Sequence, residues 1–398
     1  MTIASRHGVS GKLRPFGTTI FAEMTRLAVE HRAVNLSQGF PDFDGPEFVR
    51  DAAADALLRR GENQYARMPG VPALGEAISA WFVRGGGWPA SPDAEITVTS
   101  GCTEAIAATM LGLLNPGDEV VLFEPFYDSY RACVALAGAT PRFVTLRPGP
   151  DGRFGFDEQE LEHAITERTR MVLLNTPHNP TGKVFTRAEL DVIARACVGH
   201  DLVCVSDEVY ERLVYDGHTH VPIASLPGMR ERTVTLSSIG KTFSVTGWKI
   251  GWAIAPAHLT AGVRAAHQFL TFAVATPLQH GAAVALAEGE GYVRDLVAQY
   301  ARKRDRLAAA LSEIGFDVRT PEGTYFIMAG HERVSARLGV RGDVELCRAM
   351  TRDFGVAAIP PSVFYDEPAE GAGLVRFAFC KRDETLEEAI TRLRRMRV

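Results

Sequence analysis

The chain has 398 residues, of which 46% are hydrophobic and 23% charged, the composition of a soluble globular protein of about two domains. Its 43 Lys and Arg residues against 48 Asp and Glu leave a formal net charge of −5, so no strongly basic face for nucleic acid is predicted. No apolar run approaches the ~18 residues that a membrane-spanning helix needs.

The first residues, Met1–Gly8, lack the apolar stretch of a signal peptide, and the six cysteines are scattered without a C-x-x-C pair. This spacing argues against a disulfide framework and a structural zinc site. His218 and His220 could suggest a metal, but no cysteine or carboxylate lies at a suitable spacing, so a pair of loop histidines is favoured. We expect a cytoplasmic protein without a metal.

Short runs rich in β-branched residues alternate with helical patterns, which is typical of a parallel sheet covered by helices. The predicted strands are Ile96–Thr99, Glu119–Phe123, Arg142–Leu146, Met171–Asn175, Leu202–Ser206, Thr233–Leu236 and Trp252–Ala255. The predicted helices are Ala73–Val83, Glu104–Leu114, Ser129–Ala137, Arg187–Cys197 and His258–Phe269. We therefore expect an α/β fold whose large domain, residues 45–288, holds a mainly parallel seven-stranded sheet flanked by helices.

The remainder of the chain mixes helices and strands in an order that is typical of an α+β unit. The predicted helices here are Tyr292–Leu311, Asp343–Phe354 and Asp383–Met396, and the predicted strands are Val356–Ile359 and Leu374–Phe379. We expect a smaller α+β domain that combines residues 1–44 with residues 289–398.

Four stretches rich in Gly, Pro, Asn or Asp follow predicted strands of the large sheet. They are Ser100–Thr103, Glu124–Tyr127, Thr176–Pro180 and Asp207–Glu208. Because the carboxyl ends of the strands form the ligand crevice in an open α/β sheet, we expect these four stretches to converge there.

The most informative run extends from Ser237 to Trp252. Its lysine, Lys241, lies among Gly, Ser and Thr residues, which predicts a loop rather than the face of a helix. The amine could form a Schiff base with a carbonyl cofactor, and Lys249 could hold an anionic group of the same ligand. A surface loop with solvated lysines explains Gly-Lys-Thr equally well. The phosphate loop of nucleotide hydrolases is excluded because its first glycine would fall on Thr235.

Taken together, these features resemble the class I/II aminotransferases, pyridoxal-phosphate enzymes of fold type I. The resemblance is carried by Gly101–Thr103, Asn175–Lys183, Ser206–Tyr210, the Lys241 run and Leu374–Phe377. Within the family, the chain most resembles the kynurenine/glutamine transaminase K branch, and the segments that carry this likeness are Leu36–Phe43, Asn63–Tyr65, Glu124–Tyr130 and Phe379–Leu386. The resemblance extends from about residue 16 to the C-terminus. It implies pyridoxal 5'-phosphate as cofactor and a homodimer with shared active sites.

The resemblance also implies roles for individual residues. Lys241 would be the Schiff-base lysine and Asp207 the partner of the cofactor's ring nitrogen. Tyr210 and Asn179 would donate hydrogen bonds to the phenolate oxygen, and Tyr127 would stack on the ring. The phosphate would be held by Cys102, Thr103, Ser238, Lys249 and Tyr65 of the other subunit. The substrate α-carboxylate would be bound by Gly39, Asn179 and Arg376.

Some of these residues have simpler explanations. Asp207 could be a helix cap, Tyr127 an ordinary core aromatic, and Tyr65 a loop tyrosine of a monomer. Cys102 stands where the family usually has alanine. Since the backbone N–H is unchanged, we expect that departure to be neutral, as we do for His178.

The implied reaction is a ping-pong transfer of an amino group from an L-amino acid to a 2-oxo acid. The segments Phe16–Phe21 and Phe269–Pro277 are apolar, and only Arg14 lies near enough in sequence to bind a second carboxylate. We therefore expect aromatic, sulfur-containing or glutamine-like donors, such as kynurenine, methionine and glutamine.

Three alternatives stay open. One is N-succinyldiaminopimelate aminotransferase of lysine biosynthesis, and another is a β-lyase or a step of secondary metabolism on the same fold. The third is a regulator that uses this fold to bind an effector. It is disfavoured because only about 15 residues precede the resemblance and no basic recognition helix is predicted.

Overall fold

The computed structural model describes residues 8–17 and 19–397. The α-helices are α1 (Ile20–Glu30), α2 (Glu47–Leu58), α3 (Pro72–Arg84), α4 (Gly101–Leu113), α5 (Ser129–Ala137), α6 (Glu158–Ala164), α7 (Arg187–Gly199), α8 (Ile239–Thr242), α9 (Ala257–Leu270), α10 (Thr276–Glu288), α11 (Glu290–Ile314), α12 (Glu332–Leu338), α13 (Gly342–Ala349) and α14 (Asp383–Arg394). Within the described residues, none of these helices combines the length and the apolarity needed to cross a membrane.

The strands are β1 (Val34–Asn35), β2 (Ile96–Ser100), β3 (Glu119–Glu124), β4 (Thr140–Thr145), β5 (Arg147–Pro148), β6 (Phe154–Gly155), β7 (Thr169–Asn175), β8 (Val203–Asp207), β9 (Thr233–Ser238), β10 (Ile250–Ile254), β11 (Asp317–Arg319), β12 (Phe326–Gly330), β13 (Val356–Ala357) and β14 (Leu374–Ala378). A π-helical turn, Met350–Phe354, continues α13, and a 3-10 turn, Arg395–Arg397, follows α14.

Seven strands form the central sheet in the order β2-β10-β9-β8-β7-β3-β4. All neighbours are parallel except β10, which is antiparallel to both β2 and β9. Strands β3 and β9 are buried along their whole length, as expected where helices cover both faces of a sheet. The predicted α/β fold with a mainly parallel seven-stranded sheet is confirmed.

The seven predicted strands of this sheet all occur, with ends that differ by about two residues at most. The helix expected over Glu104–Leu114 extends from Gly101 to Leu113, so Gly101, Cys102 and Thr103 form its first turn. One local prediction near the sheet's carboxyl edge was wrong. Lys241 lies in the single turn α8 and not in a loop, because the N–H of Phe243 bonds the carbonyl of Ile239 at 2.9 Å.

A second, antiparallel sheet has the order β11-β12-β14, and β1 pairs with β13 in parallel. The predicted strand Val356–Ile359 is shorter than expected, because Pro360 follows and only an isolated bridge joins Ile359 to Arg376. One hydrophobic core joins residues of α1 and β1 to residues of α11, β12, β14 and α14. The division into residues 45–288 and a unit of residues 1–44 with 289–398 stays a prediction.

Candidate active site

A cavity of about 390 Å³ lies where strands β7, β8 and β9 end. Its walls include the start of α4, the single turn α8 and strand β14. All but one of the site residues named from the sequence line it, namely Gly39, Cys102, Thr103, Tyr127, Asn179, Asp207, Tyr210, Ser238, Lys241, Lys249 and Arg376. The exception is Tyr65. The carboxyl edge of the sheet thus gathers residues that are far apart in sequence.

Asp207 is the last residue of β8 and is 4% exposed. Its Oδ2 accepts a hydrogen bond from the hydroxyl of Tyr130 at 2.7 Å, and its Oδ1 accepts one from the N–H of Val209 at 3.2 Å. Asn175 ends the neighbouring strand in register and donates its amide to the Asp207 carbonyl at 2.9 Å. Burial raises the pKa of Asp207, and these hydrogen bonds oppose the rise. A fixed acceptor therefore faces the cavity.

Lys241 projects its amine into the same cavity from α8. The Nζ atom lies 3.5 Å from the carbonyl oxygen of Gly39 and 5.9 Å from the centre of the Tyr210 ring. Burial lowers the pKa of Lys241, while the charge of Asp207 acts in the opposite direction. Desolvation thus increases the fraction of neutral amine, the form that attacks carbonyl carbon.

The amino end of α4 forms a cationic recess. Its first backbone N–H groups have no partner within the helix, so they can bind an anion. Lys249 has a left-handed backbone, with φ of 54°, and its Nζ donates to the hydroxyl of Thr103 at 3.3 Å. Ser238, at the end of β9, completes the lining on the opposite side. Backbone donors, a hydroxyl and an ammonium therefore converge, as a phosphate requires.

Two glycines leave space for this recess. Gly101 has φ of +71°, and a Cβ there would lie 3.0 Å from the Nζ of Lys249. A Cβ on Gly251 of β10 would lie 2.6 Å from the backbone nitrogen of Cys102. Both positions therefore require glycine, because a side chain would displace the cation or the first turn of α4.

Arg376 lies on β14 and is 1% exposed. Its Nη1 donates to the Oδ1 of Asn179 at 3.0 Å, and its Nη2 donates to the carbonyl of Ser37 at 2.9 Å. The guanidinium lies 4.2 Å from the centre of the Phe326 ring, and the Nε atom has no hydrogen-bond partner among the described residues. The group is thus held in place, with donor capacity left for a carboxylate.

Tyr65 is 85% exposed and packs edge-on against Phe272, with 5.6 Å between ring centres. Phe272 is itself 45% exposed, and Phe269 is 85% exposed. Tyr65 therefore contributes nothing to the cavity of its own chain and belongs to an aromatic surface that solvent reaches.

Sequence reasoning assigned no role to several residues that shape the cavity. Tyr130 holds Asp207, Asn175 fixes the end of β8, and Gln38 and Asp128 line the wall. Asn175 could have been found, because a polar residue that ends one buried parallel strand lies beside the residue that ends the next. Tyr130 ends the Glu124–Tyr130 segment that carries the resemblance, but its residue type and position gave no sign that its hydroxyl would donate to Asp207.

Known proteins resemble this chain in family profile, in sequence and in structure. The profile of the family "Aminotransferase class I and II" matches residues 31–393. The chain is 50% identical to the probable N-succinyldiaminopimelate aminotransferase DapC of Mycobacterium tuberculosis, over 96% of this chain and 97% of that protein. It is 42% identical to kynurenine–oxoglutarate transaminase 3 of Mus musculus, over 95% and 88%. The crystal structure of the methionine aminotransferase YbdL from Escherichia coli superposes with a TM-score of 0.92 at 43% identity, covering 98% and 100%.

Proposed function

Because the chain belongs to the class I and II aminotransferases and is a pyridoxal-phosphate-dependent transaminase of fold type I, we propose that its amino donor is an L-amino acid with an aromatic, sulfur-containing or amide side chain. The acceptor is a 2-oxo acid, and the two half-reactions alternate in a ping-pong cycle. The observation that carries the substrate proposal is a cavity with aromatic walls in which, among the described residues, Arg376 supplies the one guanidinium.

The residues present fit pyridoxal phosphate. The recess at the start of α4 suits a phosphate, and the glycines at 101 and 251 leave room that a Cβ would fill. The Asp207 carboxylate suits a protonated ring nitrogen, and Lys241 supplies the amine for covalent attachment. When bound, the cofactor supplies an aldehyde and a ring that accepts the electron pair left on the substrate's Cα.

The chain's own residues then have separate tasks. Arg376 binds the α-carboxylate and so fixes the orientation of the Cα–H bond. The Nζ of Lys241 takes the proton from Cα, because its lowered pKa leaves it free to act as a base. Asp207 keeps a proton on the ring nitrogen, and Tyr210, Asn179 and Tyr127 position the ring.

The charged residues that line the cavity favour amino donors with one carboxylate, the α-carboxylate bound by Arg376. Arg14, the other arginine considered from the sequence, is exposed and does not line the cavity. The ring centres of Phe21 and Phe326 lie 5.4 and 4.2 Å from the Arg376 guanidinium, and Phe40 also lines the cavity. Apolar side chains therefore gain from burial there, whereas a second carboxylate would lose its hydration without a cation.

The second candidate is N-succinyldiaminopimelate aminotransferase. It is favoured by the 50% identity to the mycobacterial protein of that name, which extends over nearly the whole of both chains. The same catalytic residues would carry out this reaction. The difference would lie in the part of the cavity that binds the substrate's side chain.

A donor panel tests the proposal. Purified enzyme with pyridoxal phosphate is assayed with methionine, kynurenine, glutamine, glutamate and N-succinyl-LL-diaminopimelate against several 2-oxo acids, and product formation is measured. We expect the highest kcat/KM for methionine, kynurenine or glutamine. A higher kcat/KM for the succinylated substrate would replace the first candidate by the second. Lys241→Ala enzyme gives the background.

We further propose that the enzyme acts as a homodimer in the cytoplasm. The exposed aromatic surface around Tyr65 supports a contact with a second copy, in which Tyr65 approaches the other chain's phosphate recess. The six cysteines are free thiols, which suits a reducing compartment.

A further inference from the structure

Within the part of the chain that the structure describes, five charged side chains line the cavity, and four of them have a task in the proposed function. They are Asp207, Lys241, Lys249 and Arg376. The fifth is Asp128, which directly precedes α5 and adjoins Tyr127. Nothing in the reaction chemistry described above uses its carboxylate.

Asp128 lines the cavity from the position just before α5 and is half-buried there. Although it occupies the capping position of α5, its side chain makes no capping hydrogen bond to the helix. Burial raises the pKa of Asp128, whereas a hydrogen bond from the neighbouring backbone N–H of Ser129 and the charge of Arg376 lower it.

A second acceptor lines the same cavity. Gln38 donates its amide nitrogen to the Thr25 hydroxyl at 2.6 Å and to the Phe21 carbonyl at 3.3 Å. These bonds fix which amide atom is the nitrogen, so the polar atom left for a ligand is the oxygen Oε1. The neighbouring lining residues Phe21, Phe40 and Phe326 are apolar.

We propose that Asp128, with Gln38, selects the substrate by its side chain, favouring donors that carry an N–H group there and disfavouring a second carboxylate. The proposal rests on the transaminase function above and narrows its substrate class to planar amide or anilino side chains between aromatic walls. An amide can donate an N–H group to either acceptor, whereas a carboxylate would face the Asp128 charge in a partly desolvated space.

Glutamine and glutamate provide the test. Their side chains have nearly the same shape, but glutamine has an N–H group that can donate a hydrogen bond, whereas glutamate has a negative charge. The measured quantity is the kcat/KM of each relative to that of methionine, whose side chain has neither. In the wild type we expect glutamine to exceed glutamate at least about tenfold, the ratio for one charge-assisted hydrogen bond. In Asp128→Asn, which keeps the shape and removes the charge, we expect this glutamine-to-glutamate ratio to fall at least about tenfold.

The matched control is Asp157→Asn. Asp157 caps α6 with its side chain and is not among the residues that line the cavity, so its replacement removes the same charge outside the substrate space. It should leave the glutamine-to-glutamate ratio unchanged. Normalisation to methionine removes any general loss of activity or of folded protein.

Three results would overturn the selectivity role. They are a wild-type ratio near one, a ratio that Asp128→Asn leaves unchanged, and an equal loss for methionine, glutamine and glutamate, which would mean that Asp128 acts through Arg376. The wild-type ratio needs no variant, so poor folding of Asp128→Asn would leave the test intact. Absence of transamination with every donor, methionine included, would instead count against the proposed function.

Discussion

Lys241 is half-buried and Arg376 is fully buried, and the partial loss of water has opposite uses for the two cations. Desolvation lowers the pKa of Lys241, which favours the neutral base. Arg376 keeps its charge because its usual pKa is so high, and burial makes that charge more effective toward a carboxylate. The resemblance predicted both residues and placed Asn179 beside Arg376 at the substrate carboxylate. The contact of Arg376 with the carbonyl of Ser37 could not be predicted, because it depends on how two distant parts of the chain pack together.

Replacement of Lys241 tests its role as base and attachment point. We expect Lys241→Ala to lose essentially all transaminase activity while it still binds pyridoxal phosphate through the recess of α4. Borohydride reduction followed by peptide mass spectrometry should place the adduct of the wild type on Lys241. Lys12→Ala, at an exposed position, is the control and should be fully active. An adduct on Lys249 or Lys183 would contradict the assignment.

Replacement of Arg376 tests the carboxylate anchor. We expect Arg376→Lys to lower kcat/KM for every amino donor by about 10- to 100-fold, since lysine keeps the charge but loses the bidentate geometry. Cofactor affinity, measured by absorbance titration, should change much less. A kcat/KM within a few-fold of the wild type would show that another group binds the carboxylate.

At the scale of elements, the phosphate recess depends on how closely β10 approaches the start of α4. That approach is possible because Gly251 has no side chain to meet the backbone of Gly101 and Cys102. The strands of the sheet were predictable, because buried β-branched runs bounded by Gly, Pro and Asn are distinctive. Helix α10 was not predicted. Most of its sides carry buried small residues such as Gly281 and Ala282, so it lacks the polar face that marks an amphipathic helix.

A methyl group at position 251 tests the recess. In Gly251→Ala the new Cβ would lie 2.5 Å from the backbone carbon of Gly101, so the first turn of α4 must shift. We expect a loss of about 1–3 kcal/mol in the free energy of unfolding, as for overpacked sites, and a weaker affinity for pyridoxal phosphate.

The matched control for this change is Gly247→Ala. Gly247 lies four residues earlier, and a Cβ there would meet no atom within 4 Å. Both variants are compared by thermal unfolding without cofactor and by cofactor titration. Equal cofactor affinity in the two variants would mean that α4 tolerates the displacement and that the recess is less rigid than its contacts suggest.

At the scale of the whole molecule, the proposed dimer would join two cavities across the surface around Tyr65. Mixing Tyr65→Ala with Lys241→Ala under subunit exchange tests this. Each mixed dimer would have one site with both Lys241 and Tyr65. Since half of the dimers are mixed and one of their two sites is complete, about a quarter of the wild-type activity should return.

In the control mixture, the single variant Tyr65→Ala is exchanged for a double variant that carries both Tyr65→Ala and Arg376→Ala. Its mixture with Lys241→Ala should stay inactive, because the site that has Lys241 then lacks Arg376. No recovery in the first mixture, or a monomer by light scattering, would count against the role of Tyr65 in the partner's site.

The contacts of Arg376 also bear on the order in which the molecule assembles. Its guanidinium is held by residues 339 and 197 positions away in the sequence, the carbonyl of Ser37 and the side chain of Asn179. Contacts of such separation form late, because much chain must already be ordered before they close. During refolding from denaturant with cofactor present, β-sheet circular dichroism should therefore recover before the ability to bind an amino acid. A refolding chain would therefore pass through a stage in which the sheet has formed but the site cannot yet bind an amino acid.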